Sequence, residues 1–179
     1  GLFCLLLSQY PTRYASLISI ESDDLNRFGL SEIKIASASP ELFLKVSGEE
    51  ISSSPIKGTV VSGEEFLDKD ISENIMIVDL VRNDLSKICQ IASVHVPQLL
   101  VRMPLPNLDH LVSTVSGKLG KGVGWNEIIS STFPPGSVTG APKSSALEFI
   151  EQNEPDREIY CGTIGWVDKD SDTAELAVA

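Results

Sequence analysis

The stretch from Glu32 to Ile51 most constrains the fold, because it alternates with the period of a strand and then turns back on itself. Glu32–Ser39 alternates apolar with small or polar side chains, and Leu42–Val46 continues as a largely apolar run. A two-residue period sends successive side chains to opposite faces of a sheet. Ser47-Gly48-Glu49 has the composition of a tight turn, and Ile51 opens another extended segment. Segments joined by so short a connection pair antiparallel. Further along, Leu111–Leu119 reads as a strand, and Ile159–Val167 and Ala174–Ala179 read as two more around the polar turn Asp168-Lys169-Asp170-Ser171-Asp172. The apolar start, Gly1 to Leu7, reads as a buried strand.

Helices interrupt this pattern. Ile75-Met76-Ile77-Val78 has strand propensity, but Ile71, Ile75, Val78, Val81 or Arg82, and Leu85 recur at helical spacing. The longer periodicity predicts a helix over Ile71–Leu85. Trp125–Thr132 reads as a short helix, and Phe133-Pro134-Pro135-Gly136 breaks the chain. A helix from Ala141 to about Asn153 follows, with Thr139 as its cap and Pro142 in the first turn, where a missing N–H is harmless. Many strands with few helices predict an α+β architecture and not a parallel doubly wound sheet. No linker divides the 179 residues, so we expect one domain over 1–179, cut at both ends.

The formal charge of −11 argues against a nucleic acid or an anionic membrane as partner, since either would need a basic face. An acidic protein binds an anionic metabolite only where local donors or a metal supply positive field. Cys4, Cys89 and Cys161 share no metal-type spacing and read as free thiols of a reducing, cytoplasmic compartment. The initial apolar run is too short for a membrane span.

Four local features could carry chemistry. Gly136-Ser137-Val138-Thr139-Gly140-Ala141-Pro142-Lys143 opens a helix with glycines that let a ligand approach the backbone. Its spacing fails the phosphate-loop pattern, and a plain turn and cap is the more ordinary reading of such a helix entry. Lys57, in Pro55-Ile56-Lys57-Gly58-Thr59, is either a solvated surface charge or, withdrawn from water, a nucleophile. Glu73, Asp79, Arg82, Asn83 and Asp84 make a dense polar set on an apolar helix. Internal pairing accounts for Asp79, Arg82 and Asp84, whereas Glu73 is either a lone surface carboxylate or a Mg2+ ligand. His110 is a structural histidine or a polar group in a site.

Taken in order, these strings resemble the chorismate-binding enzyme family. The resemblance runs through Ser39-Pro40-Glu41-Leu42-Phe43-Leu44, the Lys57 string, Glu73–Leu85, His110-Leu111-Val112-Ser113-Thr114, Gly136–Lys143 and Tyr160-Cys161-Gly162-Thr163-Ile164-Gly165. It implies two packed antiparallel sheets with helices outside. Lys57 stands where most relatives carry a small residue, and this resembles the aminodeoxychorismate synthase branch, which serves p-aminobenzoate and folate synthesis. That branch implies Glu41 as general acid, Lys57 as nucleophile at C2 of chorismate, and His110 as polar support near the ring. It also implies Glu73 as a ligand of Mg2+, and substrate contacts from Gly58, Thr59, Ser137, Thr139, Gly140 and Ala141. Ammonia would come from a glutamine amidotransferase partner. The anthranilate synthase branch and a binding-only relative are the alternatives. The family pattern further implies an Ile-Arg-Thr string and more metal-binding glutamates beyond Ala179, and a longer segment between Thr59 and Glu73.

Overall fold

A computed structural model describes residues 1–9 and 11–179. The strands are β1 (Tyr14–Glu21), β2 (Glu32–Ser39), β3 (Leu42–Ser47), β4 (Glu50–Ser54), β5 (Ile56–Val61), β6 (His95–Pro104), β7 (Leu108–Lys118), β8 (Thr163–Asp168) and β9 (Thr173–Val178). The helices are α1 (Leu2–Gln9), α2 (Asp68–Ser86), α3 (Trp125–Thr132) and α4 (Lys143–Asn153), with 3-10 turns at Asp23–Phe28 and Gly136–Val138. This is the expected α+β class with antiparallel sheets. β1 and β2 form a two-stranded sheet, and the other strands form a second sheet in the order β5-β7-β4-β3-β9-β8, with β6 on the free edge of β7. Among the described residues no helix is long and apolar enough to cross a membrane.

β4 and β5 are two halves of one strand lying along β7. Glu50 pairs with Lys118 at one end and Val61 with Leu108 at the other. β7 alternates without interruption, its odd-numbered residues from Asp109 to Gly117 buried and its even-numbered ones less so. The buried face meets α2, and Leu44, Ile51 and Val115 pack there with Val78, Leu85, Ile88 and Ile128. Each such side chain, fully removed from water, contributes about 2 kcal/mol. The acidic first turn of α2, with Asp68 and Asp70, suits its N-terminal dipole, and the Asp70 carboxylate accepts the Leu67 N–H at 3.1 Å.

Several local expectations are corrected. Residues 2–9 are helical: the leucine-rich run has no two-residue alternation and no partner strand, and leucine favours helix. α2 forms, but its buried stripe is Asn74, Ile77, Val78, Asp84 and Leu85, while Ile75 is 43% exposed. The helix is rotated from the all-apolar stripe because Asn74 and Asp84 find partners inside. α4 begins at Lys143, and the Thr139 hydroxyl donates to Pro135 O at 3.1 Å instead of capping it. β8 begins only at Thr163, because Glu158 and Cys161 sit at φ 50° and 63°, outside strand geometry.

Candidate active site

A one-residue bulge builds the site. Ile56 pairs with Val112 and Thr59 with His110, so three steps on β5 oppose two on β7, and Lys57 and Gly58 together face the single residue Leu111. Gly58 adopts φ +91°, and a Cβ there would lie 2.9 Å from Asp70 Cβ of α2, so only glycine fits. Lys57 continues the alternation of Ser53 and Pro55, both buried on the α2 side. Its ammonium donates to Ser137 O at 2.8 Å. Ser137 is held by the 3-10 turn, which packs so closely on α2 that a Cβ at Gly136 would come within 2.5 Å of Leu80 Cδ2.

Glu41 lies between β2 and β3 with its backbone fixed at both groups. Its N–H donates to Ser39 Oγ at 3.3 Å, and its carbonyl accepts Val178 N–H at 3.1 Å. Burial pushes the Glu41 carboxyl above the ordinary carboxylate range, and the Ser137 hydroxyl, the Lys57 charge and the Ile56 N–H oppose this only in part. The Ser137 hydroxyl is shut off from solvent and has no hydrogen bond of good geometry. It lies against Glu41 closely enough for its dipole to act, but short of an aligned bond. Glu41, Ser53, Thr132 and Ser137 border a cavity of about 20 Å³, room for one water. On the other side Glu41 lines an open groove of about 490 Å³ with Pro40, Val138, Tyr160 and Cys161, a size suited to a small metabolite. Glu41 and Ser137 border the small cavity, the Lys57 amine rests on Ser137 O, and of the three only Glu41 also lines the groove.

The other candidate residues lie elsewhere. Thr59 and His110 are hydrogen bonded at 2.9 Å on the opposite face of the sheet, the face of Val112 and Thr114. Burial lowers the His110 pKa more than neighbouring Asp109 raises it, favouring neutral imidazole. Asp109 is covered by its own partners more than by depth in the protein. Arg102 at 2.6 Å, the Gly63 N–H and the Ser62 hydroxyl therefore outweigh desolvation and hold its carboxyl below the usual range. Thr139, Gly140 and Ala141 line neither the small cavity nor the groove. Glu73 faces Lys69 at 3.5 Å. Among the described residues no three His, Cys, Asp or Glu side chains gather in a way that could hold a metal, so Glu73 alone does not make a Mg2+ site.

Sequence reading missed what supports the site. Asn74, on α2, donates its amide N–H groups to Leu111 O at 3.0 Å and Lys57 O at 3.5 Å. Lys143 bonds buried Asp84 and the Thr132 carbonyl, tying the start of α4 to α2 below Ser137. The only available signal was the presence of polar residues on a helix otherwise able to bury an apolar stripe. Asp79 and Arg82 pair with each other at 2.9 Å, but Asp84 looks inward.

This arrangement belongs to a recognised class of enzymes. The pattern of the chorismate binding enzymes matches residues 2–179, and the chain belongs to that family. It is 39% identical to aminodeoxychorismate synthase component 1 of Escherichia coli K12 over 151 residues, 77% of this chain and 33% of that protein. It is 36% identical to anthranilate synthase component 1 of Arthrobacter globiformis over 182 residues, 94% of this chain and 33% of that protein. The crystal structure of anthranilate synthase component I from Streptococcus pneumoniae TIGR4 superposes with a TM-score of 0.80 at 25% identity, covering 99% of this chain and 39% of that one. The chain thus spans about a third of the length of these curated relatives.

Proposed function

We propose that this chain carries the aminating centre of an aminodeoxychorismate synthase, which replaces the C4 hydroxyl of chorismate with an amino group from ammonia. The observation that carries the reading is Lys57, whose amine meets Ser137 O and whose charge acts on Glu41. Hydroxide is a poor leaving group, so C4 needs a proton donor, and a carboxyl whose pKa is raised by burial is suited to give one. Lys57, as the free amine, adds its electron pair at C2. Both conjugated ring double bonds shift, C1=C2 to C1=C6 and C5=C6 to C4=C5, and the C4 oxygen leaves as water with the Glu41 proton. Ammonia then adds at C4, both double bonds shift back, and the C2–N bond breaks to release Lys57. The ammonia proton returns to Glu41 or solvent, so the cycle closes. His110, paired with Thr59 on the opposite face of the sheet, acts on the site only through the strands that carry it.

Mg2+ would neutralise a dianionic substrate, with Glu73 as one ligand. The reading places the protein in the cytoplasm, supplied with ammonia by a glutamine amidotransferase for p-aminobenzoate and folate synthesis. The test is product identity: the gene product is incubated with chorismate, Mg2+ and ammonium, with and without aminodeoxychorismate lyase. Lyase-dependent p-aminobenzoate, lost in Lys57→Ala, is expected. Anthranilate formed without lyase would replace the C4 assignment with C2 amination, and no turnover would favour a binding role.

A further inference from the structure

We propose that Asn74 is a positioning residue that fixes the bulge carrying Lys57, and so holds the amine against Ser137 and Glu41. The proposal rests on the reading of Lys57 as nucleophile, but its geometric part stands separately. Asn74 is 1% exposed on a helix face whose next buried residues are Ile77 and Val78. An apolar side chain would serve packing there at least as well, so the amide needs another explanation.

Its hydrogen bonds supply one. The bulge removes Lys57 and Gly58 from regular strand pairing, leaving a carbonyl that must find a donor elsewhere. The two N–H bonds of the Asn74 amide reach Lys57 O at 3.5 Å and Leu111 O at 3.0 Å, one on each strand across the bulge. The amide oxygen accepts the hydroxyl of Ser113, which is 0% exposed and itself accepts the Leu100 N–H at 2.9 Å. One side chain therefore ties α2, β5 and β7 together and, through Ser113, β6. The network fixes the orientation of the amide: a flipped side chain would turn its oxygen toward two carbonyls and its nitrogen toward a hydroxyl already used as an acceptor. Of the residues in this network, only Lys57 has a side chain that reaches Ser137 and the Glu41 region. A slip of the bulge by one residue would send that side chain to the face of His110.

The test uses the gene product and its Asn74→Leu variant, with fold checked by circular dichroism. Two readouts are taken. The first is acetylation of Lys57 by acetic anhydride, followed by peptide mass spectrometry against half-exposed Lys45 in the same sample. Asn74→Leu should change the Lys57 rate at least about three-fold, in either direction, with Lys45 unchanged. The second is steady-state amination of chorismate, in which kcat should fall at least about ten-fold while KM stays within about two-fold. If Asn74→Leu does not fold, Ser113→Ala, which frees the amide at its oxygen, is read the same way with a smaller shift. An unchanged Lys57 rate, or equal changes at Lys57 and Lys45, overturns the proposal. A selective change at Lys57 in a protein that does not aminate chorismate upholds the positioning and overturns the functional reading alone.

Discussion

Removing either partner of the Asp84–Lys143 pair should destabilise the protein, but by unequal amounts. The Asp84 carboxylate is 7% exposed and accepts from Lys143 on one oxygen and from Lys87, at 3.0 Å, on the other. The Lys143 side chain is 16% exposed, and its remaining partner is the Thr132 carbonyl at 3.0 Å. Asp84→Ala therefore strands a largely buried ammonium with one neutral acceptor. Breaking a buried pair in this way costs about 3–5 kcal/mol, and we expect about 3 because Lys143 begins its helix and can turn partly outward. Lys143→Ala leaves Asp84 its bond to half-exposed Lys87, and should cost only about 1–2 kcal/mol. The double variant should fall short of additivity by about 1–3 kcal/mol. Urea unfolding of the four proteins near neutral pH measures all three quantities. A Lys143→Ala cost equal to that of Asp84→Ala, or a coupling below about 0.5 kcal/mol, would refute a buried, coupled pair. α4 offers no buried residue of its own, so both variants should also loosen the turn that presents Ser137, lowering turnover.

Three further outcomes follow from the geometry. Gly58→Ala combines left-handed strain with a Cβ 2.9 Å from Asp70 Cβ and should cost about 2–4 kcal/mol; a loss below about 0.5 in urea unfolding would remove the bulge argument. Glu41 has a raised folded-state pKa, so its stabilising contribution is full below about 4.5 and is lost as pH rises through the folded value. Glu41→Gln cannot titrate, so its stability relative to the parent should improve between about pH 4 and pH 8, and a flat difference would refute the sign. Burial, helped by Glu50, pushes the Cys89 thiol up to about 11, which leaves it roughly 100-fold less thiolate than an ordinary cysteine. Iodoacetamide should therefore label exposed Cys4 well before Cys89 near pH 8, and equal rates on a mass spectrum would contradict the burial.

Local periodicity alone determined much of this protein. The β2–β3–β4 run, α2, β7 and α3 are legible because each has a hydrophobic repeat matched to its own geometry and closed by turn residues. Glu41 and Lys57 were legible as candidates through family strings, not through chemistry visible in isolation. Tertiary structure decided which faces those elements present. Asn74 and Asp84 look like surface residues in a helical repeat, yet both are buried, because their partners on β5, β7 and α4 are distant in sequence. β6 was not legible at all: Pro97 and a left-handed Leu100 interrupt its alternation, and only pairing with β7 makes it a strand. The pairing of Thr59 with His110, and the turn of the chain beyond Lys57 to the other face, hang on one extra residue in β5. A sequence records that residue without showing that it is extra. The bulge exists only relative to the strand it pairs with, and that pairing is a property of the folded chain.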